Sequence, residues 1–134
     1  HSPYTLSLHD ALPILELYTL QMAKWRVAKA QGILTLDTTM KTGEEVFAPH
    51  RQMVYDVKAG RITEAQYTEM YYRKMRESYR DARHRWIEVC QLERLAIMCY
   101  CPEGVFCHRH LLRKYFEPVC VGNDIPFTYM GELK

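Results

Sequence analysis

The chain has no apolar run approaching the roughly 20 residues that cross a bilayer as a helix, so no membrane partner is expected. It also has almost no charge imbalance. Eighteen Lys and Arg against 16 Asp and Glu leave a net charge of +2, which excludes the strongly basic footprint of a protein that binds nucleic acid by charge alone. A paired cysteine framework is missing too. Five cysteines at irregular spacings do not read as a secreted disulfide scaffold; they point to a reducing, cytoplasmic setting and to thiol or metal chemistry. There is no internal repeat and no low-complexity stretch. A length of 134 residues suffices for one ordinary core but not comfortably for two.

The first residues stand apart. His1–Ile14 has neither helical nor strand periodicity, and its apolar stretch is too short and broken for a signal peptide. Tyr4–Ile14 resembles the in-frame translation of a common sequencing adapter. Residues 1–14 are therefore read as extraneous, and 15–134 as a single domain whose natural start would be missing.

From Leu15 onward the pattern alternates between helix and strand. Leu20, Met22, Trp25 and Ala28 fall at roughly helical spacing within Leu17–Gln31, ahead of Gly32; Leu17–Leu20 would alternatively be the stub of a first strand. Ile33–Asp37 reads as a buried strand ending in polar residues. Ala48-Pro49 opens a short helix to about Ala59. Thr63-Glu-Ala-Gln66 matches a capping box and starts a long apolar-faced helix through Cys90, with a break near Asp81. Leu95–Cys101 is a near-continuous apolar strand, His108–Phe116 a short helix, and Ile125–Met130 a last strand. Strands separated by helices predict an α/β fold: a small three-layer sandwich with a mainly parallel sheet and helices on both faces.

Three of the five cysteines and two of the six histidines fall within Cys99–His110, in a C-x-C-x5-C-H-R run. Residues two apart on a strand share a face, so Cys99 and Cys101 are expected to point the same way. The loop Pro102-Glu-Gly104 then returns the chain to a helix start carrying Cys107, His108 and Arg109. Open α/β sheets bind ligands at the carboxyl ends of their strands, where this loop belongs. Three readings stay open. Cys99, Cys101, Cys107 and His108 (or His110) would bind zinc, which takes four S/N ligands. Alternatively, Cys107 or Cys101 is a reactive thiolate activated by the helix N-terminus, with His108 as proton partner and Arg109 as anion holder. In the third reading, these are ordinary buried thiols and a solvated helix start.

The segment Leu95–Leu112, with its apolar strand, C-x-C, short Pro/Gly loop and C-H-R-x-x-L, resembles the signature of the bacterial and phage family catalogued as domain of unknown function 488. The resemblance implies an α/β fold and a cysteine-rich site, without an established reaction. In that family Arg commonly follows the acidic residue of the earlier strand, whereas here Thr38 follows Asp37.

Asp37 is a candidate general base or, more simply, the start of a turn that accepts N–H bonds from Thr39 and Met40. Lys41 and Arg51 would add positive charge near the same edge, or be solvated. Arg73, Arg76, Arg80 and Arg83 form a stripe suited to phosphates, but Glu69, Glu77, Asp81 and Glu88 are interleaved at pairing distance, so a salt-laced exposed face is the better reading. Tyr67, Tyr71 and Tyr79 read as core. The leading expectation is an enzyme-like domain with Cys107, His108 and Asp37 as catalytic candidates and a small anionic, phosphorylated or nucleotide-type ligand. The alternative is a non-catalytic zinc module associated with nucleic acid. Deleting His1–Ile14 should leave the melting temperature nearly unchanged; a large drop would show that the segment belongs to the fold.

Overall fold

The computed structural model describes residues 14–134, so the extraneous segment proposed from the sequence lies outside the described residues except for Ile14. Four strands, β1 (Leu15–Gln21), β2 (Leu34–Asp37), β3 (Arg94–Cys99) and β4 (Phe127–Glu132), alternate with five helices: α1 (Trp25–Ala30), α2 (Arg51–Lys58), α3 (Glu64–Asp81), α4 (Arg83–Cys90) and α5 (His108–Gly122). The strands form one sheet in the order β2-β3-β1-β4, and every pairing is parallel. Among the described residues, no helix is long and apolar enough to cross a membrane.

The sheet has two unequal faces. On one, Leu15, Leu17, Leu36, Leu95 and Ile97 meet the apolar sides of the longer helices, including Tyr71, Met75, Trp86 and Phe116. On the other, Leu20, Ala96 and Met98 pack with Ala28 of α1 and with Ile33 and Leu133. Helices thus cover both faces, as expected of a three-layer α/β sandwich.

The sequence reading errs at element ends, for identifiable reasons. Leu17–Gln31 is not one helix: its first part belongs to β1, which starts at Leu15, and a 3-10 turn at Met22–Lys24 leads into α1. β1 lies between β3 and β4 and contributes buried side chains to both faces, so it has no clean period of two; short apolar runs of this kind do not separate strand from helix. β2 is an edge strand rather than a buried one, and Leu34 is 54% exposed. The long helix does break where expected, at Ala82 between α3 and α4, and the Thr63–Gln66 capping box is formed in both directions. Helix α5 runs past Phe116 and carries Pro118 inside it. Burial of Val119 and Cys120 in the main core offsets the hydrogen bond that proline removes.

Because all strands run the same way, their carboxyl ends share one rim. Asp37 pairs with Met98 and Gln21 with Cys99, which brings the polar end of β2 beside the cysteine end of β3. Gly43 closes the turn after β2: its amide donates to the Thr39 carbonyl at 3.0 Å. A Cβ at Gly43 would overlap the Thr39 backbone and lie 2.7 Å from the Asp37 carbonyl oxygen, so only glycine fits. Gly43→Ala should therefore lower stability by roughly 1–3 kcal/mol in urea unfolding. Gly122→Ala, where an added Cβ meets nothing within 4 Å, should be neutral or mildly stabilising. Equal midpoints for wild type and Gly43→Ala would refute the close approach.

Candidate functional site

Thr38, the residue after β2, holds the rim together. Fully buried, it donates its amide and its hydroxyl to the Met98 carbonyl at 3.1 and 2.8 Å. Its own carbonyl accepts from His108 Nε2 at 2.8 Å. A carbonyl can only accept, so the proton of His108 sits on Nε2. In the neutral ring the Nδ1 lone pair then faces Cys107, whose sulfur is 3.7 Å away. Burial, reinforced by the neighbouring Arg109 cation, pushes the His108 pKa down to about 4, against the opposing pull of the Thr38 carbonyl and Asp37. At neutral pH His108 is an uncharged acceptor beside Cys107. It is not an imidazolium poised to pair with a thiolate.

Arg109 is 0% exposed. Its Nε and Nη2 donate to the two Glu132 carboxylate oxygens at 3.3 and 3.0 Å, and its Nη1 donates to the Cys101 carbonyl at 2.8 Å and to the Cys99 sulfur at 2.9 Å. The guanidinium therefore faces protein acceptors on β3, β4 and the cysteine loop. Among these acceptors is the Cys99 sulfur, and the side chain is closed to solvent. Burial alone would raise the Glu132 pKa, but hydrogen bonds from Thr19 and Arg109 outweigh it and hold the carboxyl below its usual value, as a charged partner requires.

The sulfurs of Cys99, Cys101 and Cys107 lie within 4.8 Å of one another, so the structure gathers three of the four proposed metal ligands. His108 does not complete the group: its Nε2 is taken by Thr38, and its Nδ1 stands beside Cys107 alone. His110 is absent from the cluster as well. Cys101 lies beyond the end of β3 rather than on it, so the shared strand face expected for Cys99 and Cys101 does not exist; the loop's return brings their sulfurs together. Cys99 and Cys107 are buried and their sulfurs are at disulfide distance, with Cα atoms 7.7 Å apart. Cys107 is the N-cap of α5, where amides favour a thiolate. The remaining cysteines, Cys90 and Cys120, are buried away from the rim and touch each other at 3.3 Å.

Asp37 accepts from Thr39, as a turn-forming aspartate does, but from Thr42 rather than from the Met40 amide. One carboxylate oxygen accepts from the Thr39 amide and hydroxyl at 2.9 and 2.8 Å, and the other from the Thr42 hydroxyl at 2.6 Å. It ties the turn and reaches His108 only through its charge.

A pocket of about 600 Å³ opens over the cysteines, between the strand ends and helices α2 and α3. Its walls are mostly apolar, with Met40, Val54, Val57, Val105 and Phe106 among them, and Lys41, Lys58 and Glu64 add charge. The volume suits a small molecule. Arg51, Arg73, Arg76, Arg80 and Arg83 are exposed and are not among the lining residues. Arg73 is near Glu69, Arg80 binds Asp81 and Arg83 donates to Asn123, as a salt-laced face should. Tyr67 and Tyr71 are buried in the core, but Tyr67 also lines the pocket. Sequence reasoning missed that role, and it missed Thr38 and Glu132. The capping box at Thr63–Gln66 was the available signal for Tyr67, since it fixes this residue in the first turn of α3. Glu132 carried no local signal at all.

A fold with parallel strand ends carrying C-x-C and a helix starting C-H-R is the arrangement implied by the sequence motif. The model of the family described as "Active DUF488-N3 subclade" matches residues 10–118, and the chain belongs to that family. No curated protein and no solved structure matches the chain.

The His108 environment has a measurable consequence. Its folded pKa lies below the ordinary value near 6.5, so between these limits the unfolded chain binds a proton that the native one refuses. Stability is then full above about pH 6.5 and falls as the pH drops toward 4. Between about pH 7 and about pH 5 the loss from this group should be about 2 kcal/mol. His108→Asn should melt lower at pH 7 but lose less on acidification; an identical pH dependence in the two proteins would contradict the buried neutral ring.

Proposed function

We propose that this protein is a thiol-dependent enzyme acting on a small ligand in the pocket above the cysteine triad, with Cys101 as the sulfur presented to that ligand. The observation that carries this reading is the gathering of three sulfurs at one pocket floor, with a guanidinium on Cys99 and a neutral imidazole on Cys107. Cys101 is the most exposed of the three. The arrangement suits an internal thiol–disulfide exchange. A Cys101 thiolate attacks the Cys107 sulfur, the Cys101–Cys107 bond forms as the Cys99–Cys107 bond breaks, and the electron pair leaves on Cys99 beside Arg109. In the reduced state the His108 Nδ1 accepts a hydrogen bond from the Cys107 thiol. The apolar walls and the charge of Lys41 and Lys58, which outnumber the one lining carboxylate, Glu64, favour an anionic, phosphorylated or nucleotide-type ligand with an apolar body. The family's description as an active subclade agrees with an enzyme.

One observation favours a second reading. The Cys99 and Cys107 Cα atoms, 7.7 Å apart, are wider than the roughly 4.4–6.8 Å usual for a disulfide, and three soft thiolates are a donor set that suits zinc. Cys99, Cys101 and Cys107 would hold the ion, and the fourth position would face the pocket. Zinc would supply a Lewis acid, or a purely structural clamp in a non-catalytic module. A nucleic-acid partner for such a module is the weaker part of this reading, because much of the arginine stripe is already engaged.

Iodoacetamide at neutral pH should label Cys101 first in the metal-free reduced protein, and Cys90 and Cys120 last. Uniform slow labelling of all five cysteines would remove the thiol-enzyme reading. Near-stoichiometric zinc in protein purified without chelator, with Cys101 reactive only after chelation, would favour the zinc site.

A further inference from the structure

Tyr67 is only 3% exposed, and its ring is held on two sides. It stacks on Tyr71 with centroids 6.4 Å apart and planes 10° from parallel, and it meets the edge of Phe106 at 5.3 Å. The neighbouring tyrosines use their hydroxyls within the protein, Tyr71 donating to the Phe47 carbonyl and Tyr72 to that of Leu111. The Tyr67 hydroxyl has no hydrogen-bond partner among the described residues, yet Tyr67 lines the pocket together with Cys101. The ring is buried, but the hydroxyl is not among the buried atoms that lack a partner; it is open to the pocket and free to donate to whatever enters. Burial, and secondarily the charge of Cys101, raise the Tyr67 pKa, so the phenol stays a donor at working pH.

We propose that Tyr67 is a ligand-binding residue whose hydroxyl donates to a carbonyl oxygen of the ligand and so sets the adjoining carbon against Cys101. The ligand class is a carbonyl compound with an apolar body, anionic elsewhere as proposed above: Val54, Val57 and Phe106 receive the body, and Tyr67 reads the carbonyl oxygen. The inference rests on the thiol reading for the role of Cys101, but the recognition of the oxygen is separable from it.

Two aromatic electrophiles differing by a carbonyl test the assignment. Phenacyl bromide and benzyl bromide both alkylate a thiol by forming an S–CH2 bond and expelling bromide, while the thiol proton passes to solvent. Alkylation of Cys101 is followed by mass spectrometry and normalised to N-acetylcysteine. Tyr67→Phe, which keeps the ring packing, should slow phenacyl bromide about five-fold and leave benzyl bromide nearly unchanged. Equal slowing of both, or of neither, overturns the proposal. Acetophenone binding to Cys101→Ser protein provides the non-covalent arm: adding Tyr67→Phe should weaken it about five-fold, and an unchanged Kd overturns the proposal. If Cys101 resists both reagents while acetophenone binding still depends on the Tyr67 hydroxyl, the thiol reading falls and the Tyr67 assignment stands.

Discussion

A guanidinium without access to water must be surrounded by acceptors, because the desolvation of an unpaired buried charge exceeds any packing gain. Arg109 draws its acceptors from separate parts of the fold: the Glu132 carboxylate on β4, the Cys99 sulfur at the end of β3, and the Cys101 carbonyl in the following loop. These groups come together only when α5 starts where it does and β4 lies alongside β1. The one ion pair therefore links the last strand, the helix start and the cysteine loop, and the position of Cys101 in the loop follows from it.

The same charge shapes the chemistry next door. A second cation on His108 is opposed by burial and by Arg109, so positive charge at the site is concentrated on the guanidinium and the imidazole is left as a neutral acceptor. Cys99 and Cys107, though close in space, have different neighbours: a cation for one, a lone pair for the other. That difference makes the two sulfurs chemically unequal, one beside a donor cation and one beside an acceptor nitrogen.

Local signals made much of this legible. The capping box, the break near Asp81, strand β3 and the clustering of Cys99, Cys101 and Cys107 all rest on neighbouring residues, and all appear in the structure. The errors share a cause. Strand β1 looked helical because, paired on both sides, it buries residues on both faces. Cys101 looked like a strand residue because an apolar run does not announce where its hydrogen-bonded ladder stops. The pairing of Arg109 with Glu132 went unseen because the two lie 23 positions apart, one on a helix and one on a strand.

What the sequence by itself determined was the alternation of helices and strands and the chemical character of one segment, since both depend on periodicity and on residue types within a few positions. The family belonged to the same category, because its signature is a short contiguous run. The tertiary structure alone decided which atoms that segment meets. Thr38, Glu132 and Tyr67 reach the rim from three different elements, and no local rule ties them to Cys99–Arg109. Parallel strand order and the need to satisfy a buried guanidinium bring them together, and those constraints exist only once the chain is folded.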